Sequence, residues 1–297
     1  MPCKKCKSSP VFKTLSGEGL CSSNFVKYFE KKVLKTIGQY KLIEGKDVIA
    51  VALSGGKDSS TLLYILNKLL KKRRQKFFAL LINEGIHGYR NITIKDAKKL
   101  CKQLKVPLKI VSYKEEFGTT LDELKKKYKP CTACGILRRY SLNKIARDLG
   151  ATKLATGHNL DDEAQTLLMN MLKGNFEFSA KLGPKTEILM HDKFIPRIKP
   201  LYFLTEKEVL IYSKIKKLPV TFIECPNSHD AFRDDVRSQL NELEAKYPGT
   251  KHSIVNGFLD IQETLQKRFQ REKINSCKIC GEPSVKQVCR ACQILKR

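Results

Sequence analysis

Val51-Ala52-Leu53-Ser54-Gly55-Gly56-Lys57-Asp58-Ser59 is the stretch that decides the fold of this chain. Its first residues belong to an apolar, β-branched run, and a segment with helical spacing follows the glycine pair. Glycines between a strand and a helix let the backbone approach phosphate oxygens, and the first amides of the helix donate to them. The residue order differs from the G-x-x-x-x-G-K-S/T loop of kinases and GTPases. We therefore predict a phosphate-binding loop of another type, the structural alternative being a plain serine-capped Gly-Gly turn.

Strand-like and helix-like segments alternate along most of the chain. The predicted strands are Val48–Leu53, Phe77–Ile82, Leu108–Val111 and Lys153–Thr156, and the predicted helices are Ser60–Leu70, Ile94–Leu104, Ile136–Leu149 and Asp161–Leu172. This alternation predicts an α/β fold with a parallel sheet covered on both faces. Thr205 and Glu208 have capping-box spacing ahead of a further helix, and the chain beyond Asp230 is helical in pattern. We divide the chain into a Cys-bearing head (1–24), a central domain (25–272) and a Cys-bearing tail (273–297).

The charge balance favours a polyanionic partner. The chain has 57 Lys and Arg residues against 30 Asp and Glu residues, a formal net charge of +27. Such a surplus binds phosphate backbones by displacing counterions, although a Lys-rich, solvated surface would have the same composition. No apolar run has the roughly 18 residues of a membrane helix, and the N-terminus lacks the apolar core of a secretory signal. We expect a soluble, cytoplasmic protein.

Eleven cysteines predict metal sites, since disulfides are rare in the cytosol. Eight of them form four C-x-x-C pairs: Cys3/Cys6, Cys131/Cys134, Cys277/Cys280 and Cys289/Cys292. The last two pairs have the spacing of a complete four-Cys zinc site. Cys3, Cys6 and Cys21 fit a second zinc site in the head.

The middle cysteines form a third group. Cys131 and Cys134 precede a helix predicted to start near Ile136, with Arg138 and Arg139 in its first turn, and Cys225 stands alone in Glu224-Cys225-Pro226-Asn227. Three thiolates leave one iron of a four-iron cluster without a protein ligand. A closed zinc site would take a fourth ligand, for which His229 is available.

Two motifs resemble those of a known superfamily. Residues 54–59 resemble the PP-loop of the N-type ATP pyrophosphatases, which cleave ATP between its α- and β-phosphates and transfer AMP to an oxygen. Ala155-Thr156-Gly157-His158-Asn159-Leu160-Asp161-Asp162-Glu163-Ala164 resembles their second motif. With the middle cysteines and both terminal Cys groups, the chain is similar over nearly its whole length to the TtcA/TtuA family of tRNA 2-thiolation enzymes, specifically its TtuA and NcsA-type branch. The resemblance implies a Rossmann-like PP-loop domain, of the adenine nucleotide α-hydrolase type, between two zinc modules.

The resemblance also implies a set of site residues. ATP, with Mg²⁺, would contact Leu53, Ser54, Gly55, Gly56, Lys57, Asp58, Ser59, Ile82, His87, Gly157, Asp161 and Asp162. Cys131, Cys134 and Cys225 would hold a 4Fe-4S cluster whose remaining iron binds sulfur; a persulfide relay through Cys131 and Cys225, or structural zinc alone, are the alternatives. Lys57, Asp162 and Arg138 would complete the catalytic set. Arg138 stands where the family often has Lys, so we expect charge stabilisation from it, not proton donation. In the head, Asn24 replaces the family's usual fourth zinc ligand, a His or Cys.

The activity implied is ATP-dependent adenylation of O2 of a tRNA uridine, followed by transfer of sulfur to C2. We favour wobble uridine 34 over uridine 54 and expect a homodimer. The sulfur donor is left open among sulfide, a persulfide carrier and a thiocarboxylated ubiquitin-like protein. Two other functions compete: a PP-loop synthetase of the amidotransferase type acting on a small molecule, and a non-catalytic zinc-ribbon protein that binds RNA.

Overall fold

The computed structural model describes residues 2–186, 191–227, 231–269 and 274–296. The strands within these ranges are β1 (Phe12–Lys13), β2 (Gly19–Leu20), β3 (Ile49–Ala52), β4 (Phe77–Asn83), β5 (Leu108–Ser112), β6 (Lys153–Ala155), β7 (Lys185–Thr186), β8 (Arg197–Ile198), β9 (Asn275–Ser276) and β10 (Pro283–Ser284). His229, the candidate fourth ligand of the alternative zinc site, lies outside the described residues.

Twelve helices are present in the described part of the chain. They are α1 (Ser22–Gln39), α2 (Lys57–Lys72), α3 (Arg90–Leu104), α4 (Tyr113–Phe117), α5 (Leu121–Leu124), α6 (Pro130–Asp148), α7 (Leu160–Leu172), α8 (Phe176–Ala180), α9 (Glu206–Ile215), α10 (Ala231–Lys246), α11 (Thr250–Phe269) and α12 (Arg290–Leu295). None of them is both long enough and apolar enough to cross a membrane.

A six-stranded sheet in the order β5-β4-β3-β6-β8-β7 forms the centre of the molecule. Its first five strands are parallel, and β7 runs antiparallel to β8. β3 is flanked on both sides, since Val51 is in register with Ala79 of β4 and with Ala155 of β6. The predicted parallel α/β sheet is therefore confirmed. From β3 the chain adds β4 and β5 on one side and then crosses to β6 on the other, so a topological switch point lies between β3 and β6.

Helices bury both faces of this sheet. On one face Phe29 of α1, Leu66 of α2 and Tyr212 of α9 are fully buried in one core cluster. On the other face Leu137 of α6 packs in a cluster with Leu80 of β4. The interior strands are buried on both sides and consequently have continuous apolar sequences.

The predicted strands are all present, with bounds that differ by one or two residues. The capping box is confirmed: Glu208 N donates to Thr205 Oγ1 at 3.1 Å, and Thr205 N donates to Glu208 Oε2 at 2.7 Å. One prediction is wrong. α6 begins at Pro130 and not near Ile136, because a proline at the first helical position has the backbone angle of a helix and lacks the amide that would go unbonded there.

The last cysteine of the head lies at the start of a helix. α1 begins at Ser22, and Cys21 is its N-cap residue, so the last head cysteine is joined directly to a helix of the central domain. The short hairpin of β1 and β2 precedes it. Phe12 of this hairpin packs against Phe25 of α1, with ring centroids 5.0 Å apart.

Candidate active site

The phosphate-binding loop joins the end of β3 to the start of α2. Gly55 has φ +87°, and a Cβ atom there would lie 2.2 Å from the carbonyl oxygen of Thr93, so only glycine fits. Ser59 Oγ closes the loop, because it accepts from Ser54 N at 3.1 Å. Gly56 caps α2 without a side-chain hydrogen bond, which leaves the first amides of the helix available to an anion.

The second PP-loop motif meets the first one at the switch point. A Cβ atom on Gly157 would lie 2.9 Å from the backbone nitrogen of Ser59, so the chain after β6 passes directly against the start of α2. Asn159 Nδ2 donates to Asp58 Oδ1 at 3.0 Å. The two motifs, about a hundred residues apart in sequence, therefore form one surface.

A cavity of about 220 Å³ lies over the carboxyl ends of β3, β4 and β6. Of the predicted site residues, Leu53, Ser54, Asp58, Ser59, Ile82, Gly157 and Arg138 line it. The other lining residues are Ala52, Leu80, Glu84, Arg90, Leu142, Thr156 and His158. Burial, together with the charges of Lys199 and Arg197, lowers the pKa of His158.

Several predicted ATP contacts lie outside this cavity lining. Gly55, Gly56, Lys57, His87, Asp161 and Asp162 are not among its lining residues. Lys57 Nζ pairs with Glu206 at 2.7 Å and with Asp58 at 3.0 Å. Burial acts to lower the pKa of Lys57, but these two carboxylates raise it. The lysine is thus fully charged and held beside the loop.

The two neighbouring aspartates of α7 have different environments. Asp161 is buried, forms an ion pair with Lys251 of α11 and accepts from Glu206 N at 2.8 Å. Its carboxylate is therefore bound to α9 and α11. Asp162 accepts from Asn159 N at 3.1 Å, and burial raises its pKa to about 6, with a smaller contribution from the charge of Asp58. Asp162 is the aspartate with proton-transfer or cation-binding capacity.

Glu84 is the centre of a buried ion cluster that the sequence analysis missed. Only 2% of this residue is exposed. Its carboxylate pairs with Arg90 Nε at 2.7 Å and with Arg138 Nε at 2.8 Å. Arg90 Nη1 donates to Ser54 O at 2.9 Å, and Arg138 Nη2 donates to Cys134 Sγ at 2.9 Å. One carboxylate therefore connects the phosphate loop to a cysteine of the middle group.

A charged residue just beyond the end of a strand was the available signal for Glu84. It follows Asn83, the last residue of β4, at the edge of the sheet where open α/β folds place their ligands. Arg90 is the first residue of α3 and had no such signal, because an arginine at a helix start resembles a solvated residue.

The middle cysteines are brought to the amino end of α6. Cys131 and Cys134 both lie in its first turns, the former exposed and the latter 6% exposed. Cys225 packs against the small cluster that contains Cys134. Cys131 Sγ donates to the carbonyl oxygen of Asn227 at 2.6 Å. The Glu224–Asn227 segment therefore lies against the C-x-x-C pair, as the sequence motifs require for a shared site.

The charges around Cys134 are coupled. Burial raises the pKa of the Cys134 thiol, and the adjacent Arg138 guanidinium opposes that effect. Burial acts to lower the pKa of Arg138, but Glu84 and then Cys134 raise it. Arg138 is consequently a permanent cation that can stabilise negative charge on sulfur, and it cannot supply a proton.

Residues 26–244 match the PP-loop domain family. The tRNA-5-methyluridine(54) 2-sulfurtransferase of Pyrococcus horikoshii is 42% identical to this chain, over 99% of the chain and 93% of its own length. The tRNA 2-thiolation protein NcsA of Haloferax volcanii is 36% identical, over 100% of this chain and 98% of its own length. The chain belongs to the PP-loop family of tRNA 2-thiolation enzymes.

A solved structure of this tRNA 2-thiolation family has the same fold over the whole chain. The U34-tRNA thiolase NcsA from Methanococcus maripaludis, solved with its 4Fe-4S cluster, matches with a TM-score of 0.86 and 37% identity. The match covers 100% of this chain and 96% of that one. The family predicted from the motifs is confirmed.

The tail cysteines of this family member have the geometry of a tetrahedral metal site. Cys277 Sγ lies 3.9 Å from Cys292 Sγ, and Cys280 Sγ lies 3.7 Å from Cys289 Sγ. Zn–S bonds of about 2.3 Å in a tetrahedron separate the sulfurs by about 3.8 Å. All four sulfurs lie within 4.8 Å of one another, so they fit one ion.

The tail is fixed to the helix that carries the middle cysteines. Arg147 of α6 forms a two-pronged ion pair with Glu282, with distances of 2.6 and 2.9 Å. Lys193 Nζ donates to Gly281 O at 2.8 Å. Cys289 and Cys292 pack in the same apolar cluster as Leu142 of α6.

In the head, Cys3, Cys6 and Cys21 also lie within 4.8 Å of one another. The side-chain amide of Asn24 lies over this triangle, with Nδ2 between 3.3 and 3.5 Å from each of the three sulfurs. Asn24 therefore lies where a fourth ligand would be. The group that faces the sulfurs is an amide NH2, which donates hydrogen bonds and does not bind zinc as the expected His or Cys would.

Proposed function

We propose that the chain is a tRNA 2-thiouridine synthase that uses ATP to activate O2 of a uridine and then replaces that oxygen with sulfur. The observation that carries this proposal is the ion cluster at Glu84, which links the phosphate loop through Arg90 to Cys134 through Arg138. Nucleotide activation and sulfur transfer need such a common site, because the activated uridine must meet the sulfur before water does.

In the activation step, O2 of the uridine attacks the α-phosphorus of ATP and pyrophosphate leaves. The loop residues Ser54, Gly55, Gly56, Asp58 and Ser59, together with the first amides of α2, would hold the phosphates. Lys57 would exchange Glu206 for phosphate oxygens and offset their charge. Asp58 and Asp162 are the carboxylates available to the Mg²⁺ that accompanies ATP.

In the transfer step, sulfur adds to C2 and the C2–O2 bond breaks, so that the oxygen departs with AMP. Cys131, Cys134 and Cys225 would hold the 4Fe-4S cluster, which supplies an iron to which the incoming sulfur binds. Three observations favour a cluster there. The three thiols lie near one another, and the guanidinium of Arg138 contacts Cys134. The three cysteines are not among the described groups whose ligand atoms all lie within 4.8 Å, so their sulfurs are more widely spaced than those of the two terminal groups. A cluster binds each thiolate through a different iron and therefore spaces them more widely than a single zinc ion.

A persulfide relay through Cys131 and Cys225 is the second candidate for the sulfur chemistry. The exposure of Cys131 favours it, because a carrier thiol must be reached by the donor. Iron and acid-labile sulfide analysis of protein purified without oxygen separates the two: four irons per chain support the cluster, and an iron-free active protein supports the relay.

We propose wobble uridine 34 as the target, on the full-length likeness to the solved U34 thiolase. Uridine 54 is the second candidate, since the relative at 42% identity is named for that position. Reaction of the enzyme with ATP, Mg²⁺, sulfide and two tRNA transcripts tests this choice. A transcript with cytidine at 34 should yield no 2-thiouridine, and one with cytidine at 54 should react fully. The opposite pattern would assign uridine 54.

The same reaction tests the competing functions. Pyrophosphate release that depends on tRNA excludes a small-molecule synthetase, and any pyrophosphate release excludes a non-catalytic RNA-binding protein.

We further propose zinc at both terminal cysteine groups, a homodimer, and a cytoplasmic location like that named for the Danio rerio relative. Metal analysis and light scattering measure the first two. The sulfur donor, and the division at residues 24 and 272, remain predictions.

A further inference from the structure

A second, larger cleft lies on the other side of α6 from the nucleotide cavity. Its volume is about 1620 Å³, and its walls are α6, the β7–β8 region and the tail module. Arg138 and Leu142 face the nucleotide cavity, whereas Arg139 and Tyr140 of the same helix face the cleft. The cleft therefore runs beside the sulfur site without being part of it.

Basic side chains outnumber carboxylates in the walls of this cleft. Its lining contains Arg139, Lys181, Arg197, Lys286 and Arg290 against Glu177, Asp192 and Glu282. Glu177 pairs with Lys181 at 2.5 Å, and Glu282 pairs with Arg147. Arg139 and Arg197, in contrast, form no ion pair with any residue in the described ranges. The net charge available to a ligand in this cleft is positive.

Arg139 and Arg197 both line this cleft and lie close together. Arg197 Nη2 lies 3.5 Å from the backbone oxygen of Arg139. Burial and, to a smaller extent, the charge of Arg139 lower the pKa of Arg197 to about 10. Two neighbouring guanidinium groups without a carboxylate partner are an arrangement that a bound anion would stabilise.

We propose that Arg139 and Arg197 together bind a phosphate of the tRNA backbone, with Lys286 and Arg290 of the tail module binding the strand further along the cleft. This inference rests on the proposed function, since it assigns the path of the same RNA substrate. The guanidinium fork fits phosphate oxygens, and Lys286 and Arg290 line the part of the cleft that the tail module forms. The side chain of Phe178, 56% exposed, lies in the same cleft and offers a face for stacking a base.

Arg139 and Arg197 lie close to both parts of the reaction site. Arg197 is on β8, beside β6, and its charge acts on His158 in the nucleotide cavity. Arg139 follows Arg138, which contacts Cys134. A phosphate held between the two arginines is therefore adjacent to both the ATP cavity and the sulfur site, so that a neighbouring nucleotide can reach them.

Equilibrium binding of fluorescent tRNA to the anaerobically purified holoenzyme, at several salt concentrations and without ATP, tests the proposal. The double variant Arg139→Gln/Arg197→Gln should bind tRNA on the order of tenfold more weakly or worse. The plot of log affinity against log salt has a negative slope, and the magnitude of this slope should decrease by about one to two, because fewer counterions are displaced. ATP affinity, measured separately, should be unchanged.

The matched control is Arg73→Gln/Arg74→Gln, which removes the same charge from two exposed residues between α2 and the start of β4 that do not line the cleft. It should bind tRNA with a smaller loss and a nearly unchanged salt slope. Arg139 is exposed on α6, so Arg139→Gln alone provides the test if the change in β8 unfolds the protein. Arg139→Lys/Arg197→Lys should recover the salt slope.

The outcomes separate this inference from the proposed function. A double variant that binds tRNA like the wild type, with the same slope, overturns the cleft assignment and leaves the thiolation proposal standing. An equal loss in the control also overturns it, because the effect would then come from net charge alone. A wild-type protein that binds no tRNA at all would contradict the proposed function itself.

Discussion

Arg138 Nη2 lies 2.9 Å from Cys134 Sγ while Nε of the same guanidinium pairs with Glu84. This side chain is the direct link between the cysteines and the nucleotide loop, because Glu84 also holds Arg90 against Ser54. The carboxylate of Glu84 raises the pKa of this guanidinium and keeps it charged. A permanent cation at that position can stabilise thiolate and developing negative charge without taking part in proton transfer.

Arg138→Gln should therefore lower the single-turnover rate of tRNA thiolation by about a hundredfold, since one preorganised charge is lost. Arg138→Lys should recover part of the rate, because it retains the charge but cannot contact Glu84 and Cys134 together. Iron content and visible absorbance of each variant show whether the metal centre is intact. A wild-type rate for Arg138→Gln would contradict the role assigned to this residue.

Glu84→Gln should destabilise the fold, because two guanidinium groups would lose the carboxylate that they share. Breaking such a buried pair costs about 3–5 kcal/mol, and the partial exposure of Arg138 reduces the expected loss to about 2–4 kcal/mol of unfolding free energy. Urea unfolding measures it. Glu263→Gln, which removes an exposed partner of Lys267, should leave the unfolding midpoint where it is.

Gly55→Ala should disrupt the phosphate loop. Both Gly55 and Gly88 have positive φ, but a Cβ atom on Gly88 meets nothing within 4 Å. Gly88→Ala therefore has only backbone strain, about 1 kcal/mol, whereas Gly55→Ala adds a clash and should cost about 2–4 kcal/mol. ATP binding measured by calorimetry should be lost in Gly55→Ala and kept in Gly88→Ala. Equal effects of the two changes would show that the contact with Thr93 is unimportant.

Asp162→Asn should stabilise the protein in a pH-dependent way. The pKa of Asp162 is raised from 3.8 to about 6, so the folded state binds its proton more tightly than the unfolded state does. The carboxylate is therefore unfavourable above about pH 6, and this penalty disappears as pH falls below about 4. The variant should gain about 1–3 kcal/mol of unfolding free energy at pH 8 and nothing near pH 4. A gain that did not change with pH would contradict the raised pKa.

Asn24→His should tighten the metal site of the head. A histidine nitrogen would replace the amide that now lies over Cys3, Cys6 and Cys21. Zinc release to a colorimetric chelator should then be slower from the head, while release from the tail cysteines is unchanged. Metal analysis after limited chelation should show more zinc retained than in the wild type. Retention equal to the wild type would show that residue 24 is not the limiting ligand.

Most of the fold could be predicted from local patterns. The strand before Ser54, the glycine turn and the following helix are each indicated by their local sequence. Gly55 is required because a side chain there would collide with Thr93. The start of α6 was misplaced because a C-x-x-C pair resembles a loop, although Pro130 marked the helix. β7 and β8 could not be predicted, since two-residue strands exist only through their neighbours.

The site was less predictable than the fold. Glu84 and Arg90 are buried charged residues. The position of Glu84 just after β4 was a local signal, but nothing local distinguishes Arg90 from a surface residue. The approach of Cys225 to Cys134 is a tertiary contact between distant segments, and only the likeness to a family indicated it.

Quantifying 2-thiouridine by mass spectrometry of tRNA nucleosides, after anaerobic reaction with ATP and sulfide, tests the central claim most directly. Cys225→Ser should form no 2-thiouridine, and Cys101→Ser, which changes a buried thiol in the core, should form it at the wild-type level. If Cys225→Ser made as much 2-thiouridine as the wild type, the assignment of sulfur transfer to the middle cysteines would be wrong.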